Sequence, residues 1–595
     1  MAVIKSVFVC VAIAFVVEAY DFKFPVAGTA YGSVRGVTRY SRGGRQYDSF
    51  TGIPYAKPPV GELRFAAPQD VEPWDPEFAL DATKEPPICI QRNYVFSNNP
   101  PIEGQEDCLY LNVYAPKTGV YRRDDSGNGT LLPVLVFIHW GGFFAGRSTT
   151  GYLGPDYLMD KDVILVTFNY RLGPFGFLST LDDAAPGNWG LKDQVLALKW
   201  IRNNIEAFGG DKDRVTISGQ SAGSVSAHYH MLSPSSKGLF NQVVTDSATS
   251  LVIWGTPLNE VRLQVTIAQS LAVGCPNTTN TTAIVQCLRA VPAQTIMQSQ
   301  DLLRTFYGDT VTVFSAVVER ESINNPDPFI TKTPTEYIET GEFRDVPWMV
   351  GLVQNEGILR APSRIRPKEI RDALNANFAQ ILIDILGLGL SSPDNPRRLY
   401  QQLIDFYLSG QEYVNVSDPR SVQGFLNLYS DRLVVYGVYQ TLMLQASKAT
   451  KPIYLYNLDY RGRYTYGDYF AATDEDIDFE WGASHCDELL YLFSSDDLFP
   501  KLTGQDVVLS EKMVALWSNF VTYGDPNPPE SPVLDRSIWT PLSVDVTPDD
   551  VRLLNITGNY ETGPAFQPQR GYYPERMKLW SGCDIIENKG VATTR

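Results

Sequence analysis

Short apolar runs of strand length alternate with segments of helical periodicity through the first half of the chain. The runs at 133–138, 163–169 and 240–245 are continuous and rich in Val, Ile, Leu and Phe, as expected for strands that are covered on both faces. Residues 190–208 repeat apolar positions every three or four residues, which predicts a helix. This alternation predicts an α/β fold with a large, mostly parallel central sheet and helices on both faces.

The second half of the chain repeats this pattern less regularly. Strand-like runs occur at 346–353 and 452–457, and the latter is the last run with the composition of a central strand. Residues 366–447 have apolar positions in steps of three and four, which predicts a helical insertion over the sheet, and a closing helix is predicted over 509–520. Because no linker or repeat divides the chain, we expect one domain with a C-terminal tail over residues 20–595.

Residues 1–19 have the pattern of a secretory signal peptide. Lys5 precedes an apolar run at 7–17 that is too short to span a bilayer, and Ala19 provides a small residue for cleavage. No later stretch of about 20 apolar residues occurs, and the last residues match neither a lipid-anchor signal nor an ER-retention signal. A soluble, secreted product without a stable membrane anchor is therefore expected.

Charge and cysteine content narrow the partners and the compartment. The 595 residues carry a formal net charge of −17, so nucleic acid is not an expected partner, because phosphate neutralisation needs clustered Lys and Arg. Of seven cysteines, Cys10 leaves with the signal peptide; the remaining six allow many pairings, and the short turn-rich loops 89–108 and 275–287 are favoured. Five N-glycosylation sequons support an extracellular protein, at Asn128, Asn277, Asn280, Asn415 and Asn555.

The segment 219–223, Gly-Gln-Ser-Ala-Gly, follows the β-branched run 215–217 and precedes a helix-forming segment that ends at Leu232. A strand that turns into a helix within one residue strains that residue and needs small neighbours two positions away. This pattern is the nucleophile elbow, which places the Ser221 hydroxyl at the positive end of a helix. Ser221 is therefore the predicted nucleophile, against the alternative of a glycine-flanked serine in an ordinary turn.

A serine hydroxyl needs a base to take its proton, and histidine is the usual base. The chain has four histidines. His228 and His230 follow Ser221 on the same predicted helix and lie roughly 10 Å or more from it, while His139 precedes a glycine loop that it is better placed to brace. Elimination leaves His485 as the predicted base.

The other parts of an acyl-transfer site follow from position in the chain. Glu356 ends a predicted strand in an Asn-Glu-Gly turn between the serine and His485, and the order serine, acid, histidine is expected for a triad on such a sheet. An oxyanion needs backbone donors. Gly141 and Gly142, whose amides no side chain shields, and Ala222, which follows the nucleophile, are the predicted donors.

With these residues, the chain resembles the type-B carboxylesterases of the carboxylesterase/cholinesterase family, including secreted insect esterases, from about residue 25 to about residue 545. The resemblance rests on 50–65 (FTGIPYAKPPVGELRF), 106–114 (EDCLYLNVY), 138–146 (IHWGGFFAG), 169–178 (NYRLGPFGFL), 210–224 (GDKDRVTISGQSAGS), 351–357 (GLVQNEG) and 482–493 (GASHCDELLYLF). It implies an α/β-hydrolase fold, a Ser221–Glu356–His485 triad and hydrolysis of carboxylic esters. It also implies the disulfides Cys89–Cys108 and Cys275–Cys287 and the salt bridges Arg64–Glu106 and Arg171–Asp193.

The chain also departs from the family pattern. Trp140 replaces the first glycine of the usual His-Gly-Gly-Gly-Phe, which gives the hypothesis that it narrows the acyl pocket or reshapes the entrance; by comparison with cholinesterases, Trp254 walls that pocket. The 89–108 loop has Asn98 where cholinesterases have the tryptophan that binds quaternary ammonium, so acetylcholine is not an expected substrate. Residues 245–249, Thr-Asp-Ser-Ala-Thr, stand where the family often has Gln-Ser-Gly.

The sequence thus predicts a secreted serine carboxylesterase that hydrolyses small apolar esters through an acyl-enzyme intermediate, with no metal or organic cofactor. Besides a lipase that acts at lipid interfaces, two alternatives remain open. The GQSAG pentapeptide resembles that of insect juvenile hormone esterases, although Ser224 stands where those enzymes usually have alanine, so a hormone-hydrolysing esterase is one alternative. A non-catalytic, cholinesterase-like interaction protein is the other, and the intact triad residues argue against it.

Overall fold

A computed structural model of the chain describes residues 24–75, 77–117, 130–309, 312–471, 473, 475–543 and 546–588. The predicted signal peptide, the sequon at Asn128 and the C-terminal residues after 588 lie outside these ranges.

Eleven strands form one sheet through the described part of the chain. In chain order they are β1 Val37–Tyr40, β2 Gln46–Pro54, β3 Tyr110–Pro116, β4 Leu132–Ile138, β5 Ile164–Phe168, β6 Gly210–Gln220, β7 Gln242–Asp246, β8 Trp348–Val353, β9 Ile453–Arg461, β10 Arg552–Asn559 and β11 Gly563–Arg570. Their spatial order is β11-β10-β9-β8-β7-β6-β4-β5-β3-β2-β1. The seven neighbours from β10 to β5 run parallel, and antiparallel strands flank them at both edges. The predicted mostly parallel sheet is confirmed.

The central strands are apolar because helices cover both faces of the sheet. Every residue of β4, β5 and β8 is buried, which explains why these strands are continuous apolar runs in the sequence. Two small sheets lie outside the large one: Val26–Thr29 with Gly32–Arg35 and Leu80–Asp81, and Gln91–Arg92 with Ile102–Glu103.

The predicted helices are present with extended ends. The helix expected over 190–208 is Trp189–Asn204 continued by a 3₁₀ turn, Ile205–Phe208, and the closing helix is Gln505–Tyr523. The insertion between β8 and β9 consists of the helices Pro362–Ile365, Lys368–Ala376, Phe378–Ile385, Leu388–Ser391, Pro396–Leu408, Pro419–Ser430 and Tyr436–Ala446, the last two joined by a π-helical turn, Asp431–Val435. The other α-helices of the described residues are Gly173–Phe177, Ala222–Leu232, Asn259–Ala272, Thr281–Ala290, Ala293–Ser299, Pro334–Glu339, Gly467–Phe470, Leu489–Leu492 and Pro574–Gly582.

The sheet continues beyond the last run that has the composition of a central strand. After the run at 452–457, part of β9, the strands β10 and β11 extend the sheet to its edge. These two strands contain Gly, Pro and Asn, which are depleted in strands and hide the pattern. Two prolines fit in β11 because it is an edge strand with one unpaired side.

The covalent and ionic pairs that the family resemblance implies are formed. Cys89 bonds to Cys108 and Cys275 bonds to Cys287. The salt bridges Arg64–Glu106 and Arg171–Asp193 are both present. Among the described residues, none of the helices combines the length and the apolar character that crossing a membrane requires.

Candidate active site

Ser221 occupies the turn between β6 and the helix Ala222–Leu232. Its backbone has φ 54° and ψ −118°, a region that residues with a side chain rarely adopt. Gly219 and Gly223 permit the turn: a Cβ on Gly219 would collide with the backbone of Gly223, and a Cβ on Gly223 would collide with the carbonyl oxygen of Ile138. The strand-to-helix elbow predicted from the pentapeptide is therefore formed.

His485, in a loop after β9, meets Glu356, which lies just beyond the carboxyl end of β8. Nδ1 of His485 lies 2.6 Å from Oε2 of Glu356, and both side chains are buried. The backbone N–H of Val353 donates to Oε1 of Glu356 at 3.1 Å, so both carboxylate oxygens are held. A carboxylate at Nδ1 keeps the imidazole proton on that nitrogen and leaves Nε2 free to accept another.

Nε2 of His485 has Gln220 as its neighbour. The side-chain nitrogen of Gln220 lies 3.3 Å from it, and the thiol of Cys486 donates to Oε1 of Gln220 at 3.1 Å. Both contacts are satisfied by one orientation of the amide, with its N–H directed to the imidazole. Ser221 and His485 line the same cavity. Among the described residues, no hydrogen bond joins their two side chains.

Two of the three predicted oxyanion donors line the same cavity, and the third, Ala222, directly follows Ser221. Gly141 and Gly142 line it, with φ 114° and 60°. A Cβ on Gly141 would collide with the carbonyl oxygen of Ala145, and one on Gly142 with the ring of Phe144, so both positions need glycine. Ala222 is the first residue of its helix, where the backbone N–H has no partner within the helix.

The other three histidines are buried and bond to groups outside the triad. Nδ1 of His139 lies 2.8 Å from the carbonyl oxygen of Trp140, and the His139 ring stacks on Tyr170. His228 bonds to Ser250 and Gln445, and His230 to Ser236 and Gln194. Burial lowers the pKa of His139 and His228 to about 4 and that of His230 to about 3, so all three are neutral near pH 7.

The cavity above Ser221 is small and mostly apolar. Its apolar side chains are Val95, Trp140, Phe144, Trp254, Leu359 and Phe470. The space open to the centre of a water molecule is only about 20 Å³, so the cavity is narrow above Ser221.

Two tryptophans set the limits of this cavity. Trp140 is 2% exposed and packs in an aromatic cluster with Phe96, Tyr152 and Tyr466. Trp254 also lines a second, mainly apolar cavity, where the space open to the centre of a water molecule is about 120 Å³. Its indole N–H donates to the Leu433 carbonyl oxygen at 2.8 Å, so Trp254 is held as a wall between the two cavities.

A cluster of buried acids lies behind Glu356. Oδ1 of Asp246 accepts the Tyr456 hydroxyl at 2.7 Å, and a Cβ on Gly351 would collide with that oxygen. Burial, together with the charge of Glu356, raises the pKa of Asp246 to about 7. Burial also raises the pKa of Glu488, and the charges of Asp246 and Glu356 add to this effect. Burial and neighbouring charges thus raise the pKa of both acids that interact with the carboxylate in contact with His485.

Sequence reasoning missed Gln220, Asp246 and Glu488 as members of the site. Gln220 precedes the predicted nucleophile, and its position was the available signal. Asp246 was noticed only as a departure from the family pattern. Nothing in the sequence distinguished Glu488 from the other acidic residues.

Comparison with known proteins agrees with this geometry. Residues 23–580 match the carboxylesterase family, a range that includes β10 and β11. The chain is 49% identical over 577 residues to a juvenile hormone esterase of Tribolium castaneum, covering 96% of this chain and 95% of the relative. It is 34% identical to a carboxylic ester hydrolase of Bombus ignitus, covering 84% and 86%.

Among solved structures, the crystal structure of juvenile hormone esterase from Manduca sexta with OTFP covalently attached superimposes with a TM-score of 0.79 at 29% identity, covering 94% of this chain and 99% of that one. The family match extends over nearly the whole chain, and the relatives are named esterases. These similarities favour an enzyme over the alternative of a non-catalytic interaction protein. The chain therefore belongs to the carboxylesterase family and is a carboxylic ester hydrolase with an α/β-hydrolase fold.

Proposed function

We propose that Ser221, His485 and Glu356 carry out ester hydrolysis in this chain. The observation that supports this most strongly is the 2.6 Å contact between His485 Nδ1 and Glu356 Oε2, on an imidazole that shares its cavity with Ser221. Ser221 attacks the ester carbonyl while His485 takes its proton at Nε2, and Glu356 stabilises the imidazolium. Before this step, Nε2 exchanges the Gln220 amide for the Ser221 hydroxyl.

The oxyanion is bound by backbone N–H groups of Gly141, Gly142 and Ala222. His485 then returns its proton to the departing alcohol, which leaves an acyl group on Ser221. Water, activated by the same histidine, releases the acid. These steps use side chains and backbone groups of the chain itself.

The substrate that we propose is an apolar ester. Six apolar side chains line the cavity, so a charged acyl or alcohol group would lose its hydration there without a partner. Juvenile hormone is the specific candidate, and the 49% identity over 96% of the chain to a protein named juvenile hormone esterase supports it. A general esterase that acts on short apolar esters is the second candidate, favoured by the small volume above Ser221.

Comparing the hydrolysis rates of two kinds of ester distinguishes these two candidates. Purified wild-type protein is assayed with juvenile hormone and with a series of naphthyl esters of increasing acyl length, with Ser221→Ala as the control. A hormone esterase has a kcat/KM for juvenile hormone at least about tenfold above that for any naphthyl ester. If kcat/KM for juvenile hormone is lower than that for the best naphthyl ester, the general esterase is favoured. Full turnover by Ser221→Ala would contradict the assignment of the nucleophile.

We also propose that the protein is secreted and glycosylated. Asn277, Asn280 and Asn415 are exposed, and Oδ1 of Asn415 accepts the backbone N–H of Ser417 within its own sequon. Asn555 is half-buried in β10 and accepts a hydrogen bond from Asn457 at 3.0 Å, which makes it the poorest acceptor among the described sequons. Peptide mapping of protein secreted from insect cells, before and after glycan removal, tests whether Asn555 carries less glycan than Asn277, Asn280 and Asn415.

A further inference from the structure

Two buried arginines share one carboxylate next to the turn that carries Glu356. Arg360 and Arg364 follow the 3₁₀ turn Glu356–Leu359 and are 4% and 0% exposed. Nε of Arg360 donates to Oδ1 of Asp309 at 3.0 Å, and Nε of Arg364 lies 3.0 Å from Oδ2. Within the described ranges, Asp309 is the one carboxylate that forms an ion pair with either arginine. A net positive charge is therefore buried at this point.

The unmatched charge is concentrated on Arg364. Arg360 donates through Nη1 to the Tyr94 carbonyl oxygen at 3.0 Å, whereas neither Nη group of Arg364 reaches an acceptor on any described residue. The hydroxyl of Tyr429 is buried and makes no hydrogen bond with the described residues either, and the positive charge of Arg364 acts on its pKa. The fork of Arg364 and the Tyr429 hydroxyl thus provide unused donors in the protein interior.

A third guanidinium lies near this pair but has partners of its own. Arg304 lies over the ring of Tyr94, with 3.7 Å between its Cζ and the ring centroid, and donates through Nη1 to the Gly308 carbonyl oxygen at 3.0 Å. Burial lowers the pKa of Arg364 to about 10, so Arg364 remains charged at neutral pH. A buried charge that is incompletely matched by a counter-charge is destabilising.

We propose that Arg364, with the Tyr429 hydroxyl and the adjoining Arg360, binds a small monovalent anion, chloride being the physiological candidate. The unused groups all donate, which matches a halide. Complete burial of Arg364 favours a small ion over phosphate or sulfate. The site is separate from the catalytic cavity but adjoins its wall, because Arg304 lies 5.1 Å over the ring of Phe144, which lines that cavity. The inference does not rest on the proposed catalytic roles.

The test measures the thermal unfolding midpoint of the mature protein in sodium gluconate, chloride and bromide at one ionic strength. Wild type is expected to gain a few degrees in chloride and bromide, with saturation as the halide concentration rises, because an anion that binds only the folded state stabilises it. Arg364→Gln is expected to lose this halide dependence. Arg432→Gln is the matched control, since Arg432 is also buried but pairs with Glu587 and the Leu386 carbonyl oxygen; it is expected to keep the dependence.

Crystals grown in bromide provide the direct readout, with an expected anomalous peak within hydrogen-bonding reach of the Arg364 Nη groups. If Arg364→Gln does not fold, Tyr429→Phe removes only the hydroxyl donor and is expected to raise the half-saturating halide concentration several-fold. The proposal is overturned if the midpoint follows ionic strength alone, if Arg364→Gln keeps the halide dependence, or if bromide gives no peak at Arg364.

Discussion

The side-chain nitrogen of Gln220 lies 3.3 Å from Nε2 of His485, the nitrogen that takes the serine proton in the proposed mechanism. Gln220 directly precedes Ser221, and Cys486, which directly follows His485, orients its amide. In this state the Gln220 amide occupies the lone pair of Nε2 that must accept the serine proton. Before catalysis, Nε2 must exchange this hydrogen bond for one with the hydroxyl of Ser221, the next residue of the same turn.

Gln220→Glu tests this contact. A carboxylate cannot donate to Nε2, and its negative charge favours the protonated imidazole. Because the base acts only when neutral, the acid limb of the pH profile of kcat/KM is expected to move to higher pH by about one unit or more. The measurement is kcat/KM from pH 5 to pH 9. Cys486→Ser is the control: it keeps a donor to the Gln220 amide and is expected to leave the acid limb in place. If Gln220→Glu and wild type have equal pH profiles, the Gln220 contact has no effect on the base.

Glu356→Gln keeps the shape of the side chain but removes its charge. The amide stabilises the imidazolium poorly and can hold the wrong tautomer, so kcat is expected to fall by about ten-thousandfold, with little change in KM. Glu356→Asp keeps the charge and is expected to retain more activity. Steady-state kinetics of both variants, with circular dichroism to verify folding, checks this order. A decrease of less than about tenfold for Glu356→Gln would contradict the role of the acid.

Trp140 is expected to limit the size of the acyl or alcohol group. Its indole fills space beside Gly141 and Phe144 in the cavity wall, so Trp140→Gly should shift the preference towards longer esters. The same change leaves a hole in the aromatic cluster and is expected to cost about 3–5 kcal/mol of stability, so Trp140→Phe serves as the milder variant. The measurement is kcat/KM against acyl chain length. Trp348→Phe, at a buried tryptophan absent from the cavity wall, is the control, and an unchanged preference in Trp140→Gly would rule out this role.

The buried acid Asp246 gives a specific pH dependence of stability. Its pKa rises from 3.8 in the unfolded chain to about 7 in the folded protein, so the folded state binds the proton more tightly between these values. Its contribution to stability is complete below about pH 4 and is lost as the pH rises through 7, by at most about 1.4 kcal/mol per pH unit. Asp246→Asn cannot lose a proton, so its advantage in unfolding free energy over wild type should grow from pH 4 to pH 7.

Urea unfolding of both proteins at several pH values measures this advantage. The three buried histidines oppose the trend, because their lowered pKa values make stability rise between about pH 4 and 6.5. They are present in both proteins, so the difference between the proteins isolates the acid. A difference that is constant with pH would contradict the raised pKa of Asp246.

Features encoded by neighbouring residues could be predicted from the sequence. The Gly-x-Ser-x-Gly spacing requires a tight turn, and the continuous apolar runs require buried strands, so the elbow and β4, β5, β7 and β8 were recognisable. β10 and β11 were not, because their prolines, glycines and asparagines do not resemble a strand. Their place in the sheet is decided by pairing with β9, which local composition does not report.

Contacts between distant segments were beyond sequence reasoning. Gln220 and His485 are 265 positions apart, and Asp309 meets Arg360 across 51 positions. Chain order and family resemblance reduced the choice of an acid to Glu356, but neither indicates that Asp246 and Glu488 adjoin it. Such burial results from the packing of several strands and loops, and only the folded arrangement reveals it.

Labelling with a tagged fluorophosphonate, followed by peptide mapping, tests the central claim most directly. The reagent reacts with serines whose oxygen is activated by a base. The account predicts that folded wild-type protein carries a single label on Ser221, and that heat-denatured protein and His485→Ala do not. A folded protein without label at Ser221, or equal labelling of His485→Ala, would contradict the claim that His485 activates Ser221.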